Sequence, residues 1–214
     1  MIAQLDKDYL KIAPLRIPVR LLSYALFEGR PLTTRGRWIN PLVFAHLRLW
    51  MKLPPIKQVE QPIFIAGMGR SGTTVLGKTL SVHEDVGFLN EPKAVWHSFC
   101  PNEDVNGNYC RDDASFRLDE NDLKEDTIQN AHRLFGAYLY WSCRSRLVDK
   151  NPEVIFRTSF VKNIFPDAKI LFNCAFGSFT RSSYFTMQRH LSSSAQSRSP
   201  SRMVMIHSVT AIST

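Results

Sequence analysis

Cysteine is sparse, and none of Cys100, Cys110, Cys143 and Cys174 belongs to a Cys-x-x-Cys pair. That spacing argues against a zinc site. Cys100 and Cys110 can bridge a loop in an oxidising compartment; free thiols in a reducing one are the plainer reading. Long apolar runs are missing too, and none nears the roughly 20 residues that span a bilayer. The first eight residues lack a positive region followed by an apolar one, so no secretory signal is visible. Together these absences set a cytoplasmic location as the expectation. Asp, Glu and Lys are all absent from 173–214, a stretch rich in Ser with four Arg. Its periodicity is gone as well, which reads as a disordered tail.

The chain does have enough residues, 214, and enough apolar ones, 44%, for one α/β domain with a real core. Net charge is +8, but it sits at the ends. Residues 1–60 hold ten Lys/Arg against four Asp/Glu, whereas 61–172 hold thirteen against fifteen. A basic chain invites a nucleic-acid reading. No helix-turn-helix, zinc or RNA-binding aromatic pattern accompanies the charge, so no nucleic-acid partner is expected. Three segments follow: a basic helical extension over 1–60, an α/β body over 61–172, and the tail over 173–214.

The body is organised around Pro62–Leu76. Ile63-Phe64-Ile65-Ala66 is a short apolar run and reads as a buried strand. The glycines Gly67 and Gly72 break it, and Thr73-Thr74-Val75-Leu76 resumes at helical spacing. Strand, glycine turn and helix wrap backbone N–H groups around an anion and aim a helix dipole at it. The glycine spacing is that of the nucleotide-binding P-loop, which would place Lys at position 73. Here position 73 is Thr, and the cation stands forward at Arg70. A nucleotide triphosphatase needs that Lys on the β- and γ-phosphates. A metal-dependent kinase or NTPase is therefore the runner-up only.

The run Gly-x-x-Arg-Ser-Gly-Thr-Thr-x-Leu after a strand resembles the 5′-phosphosulfate loop of the sulfotransferases. These enzymes use 3′-phosphoadenosine-5′-phosphosulfate (PAPS) and need no metal for transfer. The resemblance implies a three-layer α/β fold of the P-loop NTPase type, a parallel sheet flanked by helices. It implies PAPS as co-substrate and a small-molecule or glycan acceptor whose identity stays open. It assigns PAPS binding to Gly67, Gly69, Arg70, Ser71, Gly72, Thr73 and Thr74.

Two further elements carry the resemblance. Val86 to Leu89 reads as a second strand, with Glu91 just past its end. In an open parallel sheet, ligands bind outside the carboxyl ends of the strands, which puts Glu91 on the edge of the Arg70 loop. Pro92 favours an extended Glu91. Several sulfotransferases carry an acid here as base toward the acceptor, and the resemblance gives Glu91 that role. A Glu capping the helix that starts at Lys93 is the competing reading. Leu147 and Val148 suggest a third strand; Asn151 then caps a helix opened by Pro152 and ended by Pro166. Strand, Lys and Pro-started helix resembles the Lys-Thr-Pro or Lys-Ser-Pro element of carbohydrate and tyrosine sulfotransferases, with Asn151 in place of Thr or Ser. There the Lys lies near the transferring group, so the implied catalytic set is Glu91, Lys150 and Arg70. A surface Lys at a strand end competes.

Other expectations are plainer. Residues 121–145 form a helix capped by Asp119 or Asn121. Glu103, Asp104, Asp112 and Asp113 read as a solvated surface. The basic helices within 15–53 either pack on the body with their Arg heads in water or touch an anionic membrane surface; packing is the reading preferred. Ala168–Phe172 reads as a fourth strand. After it the resemblance should continue with an Arg, an Asp-Pro and a Ser for the 3′-phosphate, and these are absent. Codons for Asn173–Ser178 can be chosen so that a one-nucleotide shift reads Ile-Val-Arg-Leu-Asp-Pro, so a truncated or frame-shifted end near residue 172 is expected. In a lineage-specific tail, Arg181 with Ser182 or Ser183 would have to substitute, or the chain is a non-catalytic remnant.

Overall fold

The computed structural model describes residues 14–30, 35–68, 71–104, 109, 114–115, 117–174 and 204–205. Its centre is β1 (Ile63–Gly67), the middle strand of a sheet ordered β2-β3-β1-β4-β5. The flanking strands are β2 (Val86–Asn90), β3 (Arg146–Lys150) and β4 (Lys169–Asn173), with the two-residue β5 (Val204–Met205) beyond β4. Every pairing is parallel. Parallel neighbours cannot be joined by a tight turn, so helices must carry the chain back.

Side chains of a strand alternate between faces, and the sheet divides its apolar residues accordingly. Ile65, Phe88 and Val148 meet Leu76 and Leu80 of α3 (Thr73–Leu80) on one face. Phe64, Ala66, Leu89 and Leu147 join the larger core on the other. That core is built by α4 (Lys93–Phe99), α5 (Glu125–Trp141) and α6 (Thr158–Ile164). The result is the expected three layers. From β1 the chain crosses by α3 to β2; from β3 it crosses by α6 to β4. These crossovers run in opposite directions and cover opposite faces, as right-handed connections require. Adjacent strands β1 and β3 thus send their helices apart, opening a crevice between them at the carboxyl edge.

The N-terminal helices, α1 (Ile17–Ser23) and α2 (Asn40–Lys52), lie on this body. Phe27, Val43 and Leu47 have no exposed surface and belong to the larger core. One feature departs from the expectation of solvated Arg heads. Arg20 is 3% exposed, forms an ion pair with Glu28 and donates to Phe88 O at 3.0 Å. Glu28 in turn accepts from Asn90 N at 2.8 Å, so the extension is clamped to β2.

Three local expectations are also corrected. Asp119 caps the short 3-10 turn Glu120–Asp122, and α5 begins only at Glu125. The helix after Pro152 is two pieces, a 3-10 turn over Pro152–Phe156 and then α6, broken at Arg157. Glu103 and Asp104 are not solvated: they are 1% and 2% exposed. Cys110, Asp112, Asp113, Arg181, Ser182 and Ser183 lie outside the described residues, as does most of the 173–214 tail.

Candidate functional site

The strand ends converge because the register lines them up. Ile65 stands opposite Lys150, Asn90 opposite Lys150, and Gly67 opposite Asn173. The glycine turn leaves the middle of this edge. A Cβ on Gly67 would lie 2.4 Å from the backbone oxygen of Asn173 and 2.9 Å from Thr73 Cγ2. Only glycine lets β1 run so close to β4 and into the turn. Ser71 N donates to Met68 O at 3.2 Å, and Gly72, at φ +84°, turns the backbone into α3. That left-handed conformation is open to glycine at no steric cost. Thr73 is buried and Thr74 half-buried. Gly69 and Arg70 lie outside the described residues.

Ser71 Oγ is buried and has no hydrogen-bond partner among the described residues. An unpaired buried hydroxyl costs about 1–3 kcal/mol. A ligand oxygen would remove that cost. Together with the tight approach at Gly67 and the free N-terminus of α3, this fits a phosphate-type group held by Ser71, Thr73, Thr74 and main-chain amides.

Beside the turn, three consecutive residues at the end of β3 each hold one residue of 91–96. Asp149 Oδ2 accepts from Trp96 Nε1 at 2.7 Å. Lys150 O accepts from Glu91 N at 2.7 Å, and the Lys150 ammonium forms an ion pair with the Glu91 carboxylate. Asn151 Oδ1 accepts from Lys93 Nζ at 3.4 Å. Asn151 also donates from its backbone to Ile65 O and accepts from Glu153 N, which ties β3 to β1 and starts the next turn. Glu91 and Lys150 are therefore on the same edge. Glu91 does not cap α4, whose N-cap, Pro92, carries no side-chain bond. Nor is Glu91 extended: its φ is +52°, the left-handed region. A non-glycine residue there carries strain of order 1–3 kcal/mol, which the three tethers sustain. Lys150 is 5% exposed at its side chain and Glu91 41%, so the cation is sheltered while the acid reaches solvent.

Behind this pair runs a chain of charges, all buried except the half-buried Glu153. Lys93 meets Glu153 at 2.5 Å, Glu153 lies 3.6 Å from Arg157, and Arg157 forms a fully buried ion pair with Glu103. Arg157 also donates to Glu103 O at 2.8 Å. Asp149 has no exposed surface, and burial pushes its carboxyl up to about 7, against the opposing pull of the Trp96 bond and the Lys93 charge. The folded state thus keeps a proton that the unfolded chain releases near pH 4. Stability falls as pH rises between those values. Asp149→Asn keeps the size and the acceptor for Trp96 but cannot ionise. Its melting temperature should exceed the natural chain's at pH 8 and match it more closely at pH 5. A pH-independent difference would remove the titration of Asp149 from the account.

Sequence reasoning named the glycine turn, Glu91 and Lys150, and missed Asp149, Trp96, Lys93 and Asn173. A buried acid inside an apolar strand, Leu147-Val148-Asp149, was a signal available for the first. For Asn173 there was none, because its place beside Gly67 follows from strand register.

The sulfotransferase family model matches residues 62–174, more than half of the chain. The chain belongs to the sulfotransferase family. The glycine turn, Glu91, Lys150 and Asn173 all fall inside the part that carries this membership. No curated protein matches the chain. Among solved structures, sulfotransferase STF1 from Mycobacterium tuberculosis H37Rv (type 1 form) is similar, at 16% identity and a TM-score of 0.40. The similarity covers 78% of this sulfotransferase-family chain and 62% of the mycobacterial one, so the chain spans less than two thirds of that protein.

Proposed function

We propose that this chain transfers a sulfuryl group from PAPS to a hydroxyl or amine of a small-molecule or glycan acceptor. The observation that carries the reading is the Glu91–Lys150 pair beside the glycine turn, on one edge of a parallel sheet. PAPS, when bound, supplies an activated sulfuryl group with adenosine 3′,5′-bisphosphate as the leaving group.

The chain's own residues then have distinct tasks. Main-chain amides of 67–74, with Ser71, Thr73 and Thr74, hold the 5′ end of the donor. The Ser71 hydroxyl gains the partner it otherwise lacks. Lys150 turns its ammonium from Glu91 toward the oxygen on which negative charge develops, and Arg70 adds a second cation from the loop. Glu91, released from Lys150, takes the proton from the acceptor as the acceptor oxygen or nitrogen bonds to sulfur. The bond from sulfur to the bisphosphate breaks in the same displacement, and the proton ends on the Glu91 carboxyl.

Titration calorimetry of the full chain with adenosine 3′,5′-bisphosphate and with ADP tests this directly. Saturable heat with the bisphosphate and little with ADP is the expected result. Binding of ADP with Mg²⁺-dependent ATP hydrolysis would move the reading to a kinase or NTPase. Silence with both would leave a family member that does not bind the donor.

A further inference from the structure

The helix α2 buries one side and leaves the other apolar. Val43 and Leu47 point into the core with no exposed surface. On the opposite side Leu42 and Leu49 are 63% and 56% exposed; Trp38, in the turn leading into the helix, is 79% exposed and Leu53, just past its end, 36%. Positions 42, 45 and 49 recur every three or four residues, so they form a single stripe along α2, with Trp38 and Leu53 just outside its two ends. Large apolar side chains gathered on one exposed stripe differ from the scattered singles of an ordinary surface. The patch continues sideways: Trp50 packs edge-on against Trp141, their ring centroids 6.5 Å apart, and Trp141 is 44% exposed.

Charge says what chemistry would cover this stripe. Between Glu28 and Glu60 the chain has no acid, yet it holds six basic residues. Arg37, Arg48 and Lys52 are exposed, and Arg48 and Lys52 lie along one border of the stripe. A second copy of the chain would have to bring basic residues against basic residues. An anionic lipid surface offers the opposite charge and an apolar interior at once. Trp at such a boundary finds both an apolar and a wet environment. Among the described residues no helix is long and apolar enough to cross a membrane, so the contact would be interfacial.

We propose that α2 is an interfacial docking helix: its Trp38–Leu42–Leu49 stripe inserts shallowly into an anionic bilayer while Arg48 and Lys52 meet the headgroups. This goes beyond sulfuryl transfer and does not depend on it. The helix serves as fold and as anchor together, one side packed on the body and the other presented to lipid.

Vesicle co-sedimentation of the full chain tests the idea. Neutral phosphatidylcholine vesicles are compared with vesicles containing phosphatidylserine, at low and high salt. The natural chain should sediment with the anionic vesicles only, and less at high salt. Arg48→Glu/Lys52→Glu should weaken that partition by roughly tenfold or more, and Leu42→Ser/Leu49→Ser should abolish it. All four side chains are exposed, so the melting temperature should hold in both variants and show that the fold survives. Equal binding to neutral and anionic vesicles would overturn the proposal, and so would no binding to either. A concentration-dependent dimer that Leu42→Ser/Leu49→Ser breaks, with no lipid binding, would assign the stripe to a second copy instead.

Discussion

Glu91→Gln should lower kcat by about 10²- to 10⁴-fold, the contribution of a positioned general base. The substitution is chosen because the amide oxygen still accepts from the Lys150 ammonium, so the geometry at the end of β3 is retained. What disappears is the capacity to take a proton. Binding of adenosine 3′,5′-bisphosphate, read by calorimetry, should be unchanged, because the glycine turn is a separate element. Lys150→Met should also depress kcat, by about 10²- to 10³-fold if it stabilises developing charge as an oxyanion donor does. Its effect should be strongly non-additive with Glu91→Gln, since the two side chains form one pair. A Glu91→Gln enzyme that turns over at the natural rate would remove this acid from the chemistry and leave it a structural partner of Lys150.

Arg157→Ala should be among the most destabilising single changes available. Its guanidinium is 1% exposed and holds Glu103, itself 1% exposed, by both carboxylate and main-chain oxygen. Removing one member of a buried pair leaves the other charged and unpaired, which costs about 3–5 kcal/mol. For a chain of this size that is a drop in melting temperature of roughly 6–20 °C. Replacing both partners, Glu103→Leu with Arg157→Met, should cost far less than Arg157→Ala, because no orphan charge remains. If the double replacement melts as low as Arg157→Ala, the loss comes from packing and not from the stranded carboxylate. The pair also anchors the 101–104 turn to the start of α6, and through Glu153 it reaches Lys93 and the Asn151 end of β3. The single variant should therefore loosen the site as well as the core.

Much of the local architecture was legible because its causes are local. Ile63–Ala66 is apolar, and Gly67 and Gly72 break it at the spacing an anion cradle needs. Thr73 onward is apolar at helical period, and Asn151 and Pro152 mark the start of a turn. Each inference used residues within a few positions of one another. Errors arose where a long-range partner overrode local preference. Pro92 favours an extended Glu91, but the bond to Lys150 O and the ion pair hold it left-handed. Glu103 and Asp104 look like loop acids until Arg157, 54 residues away, draws the first into the core.

By itself, then, the order of residues determined the strand–glycine–helix unit, its kinship with sulfotransferases, and the types of side chain available for the chemistry. Tertiary structure alone decided which of them meet. Glu91 and Lys150 are 59 residues apart in the chain, and they touch because β2 and β3 pair in one register. A slip of one residue would point Lys150 to the other face of the sheet. Register is a property of the packed core, set by which apolar faces must be buried together, and no short stretch of sequence contains it.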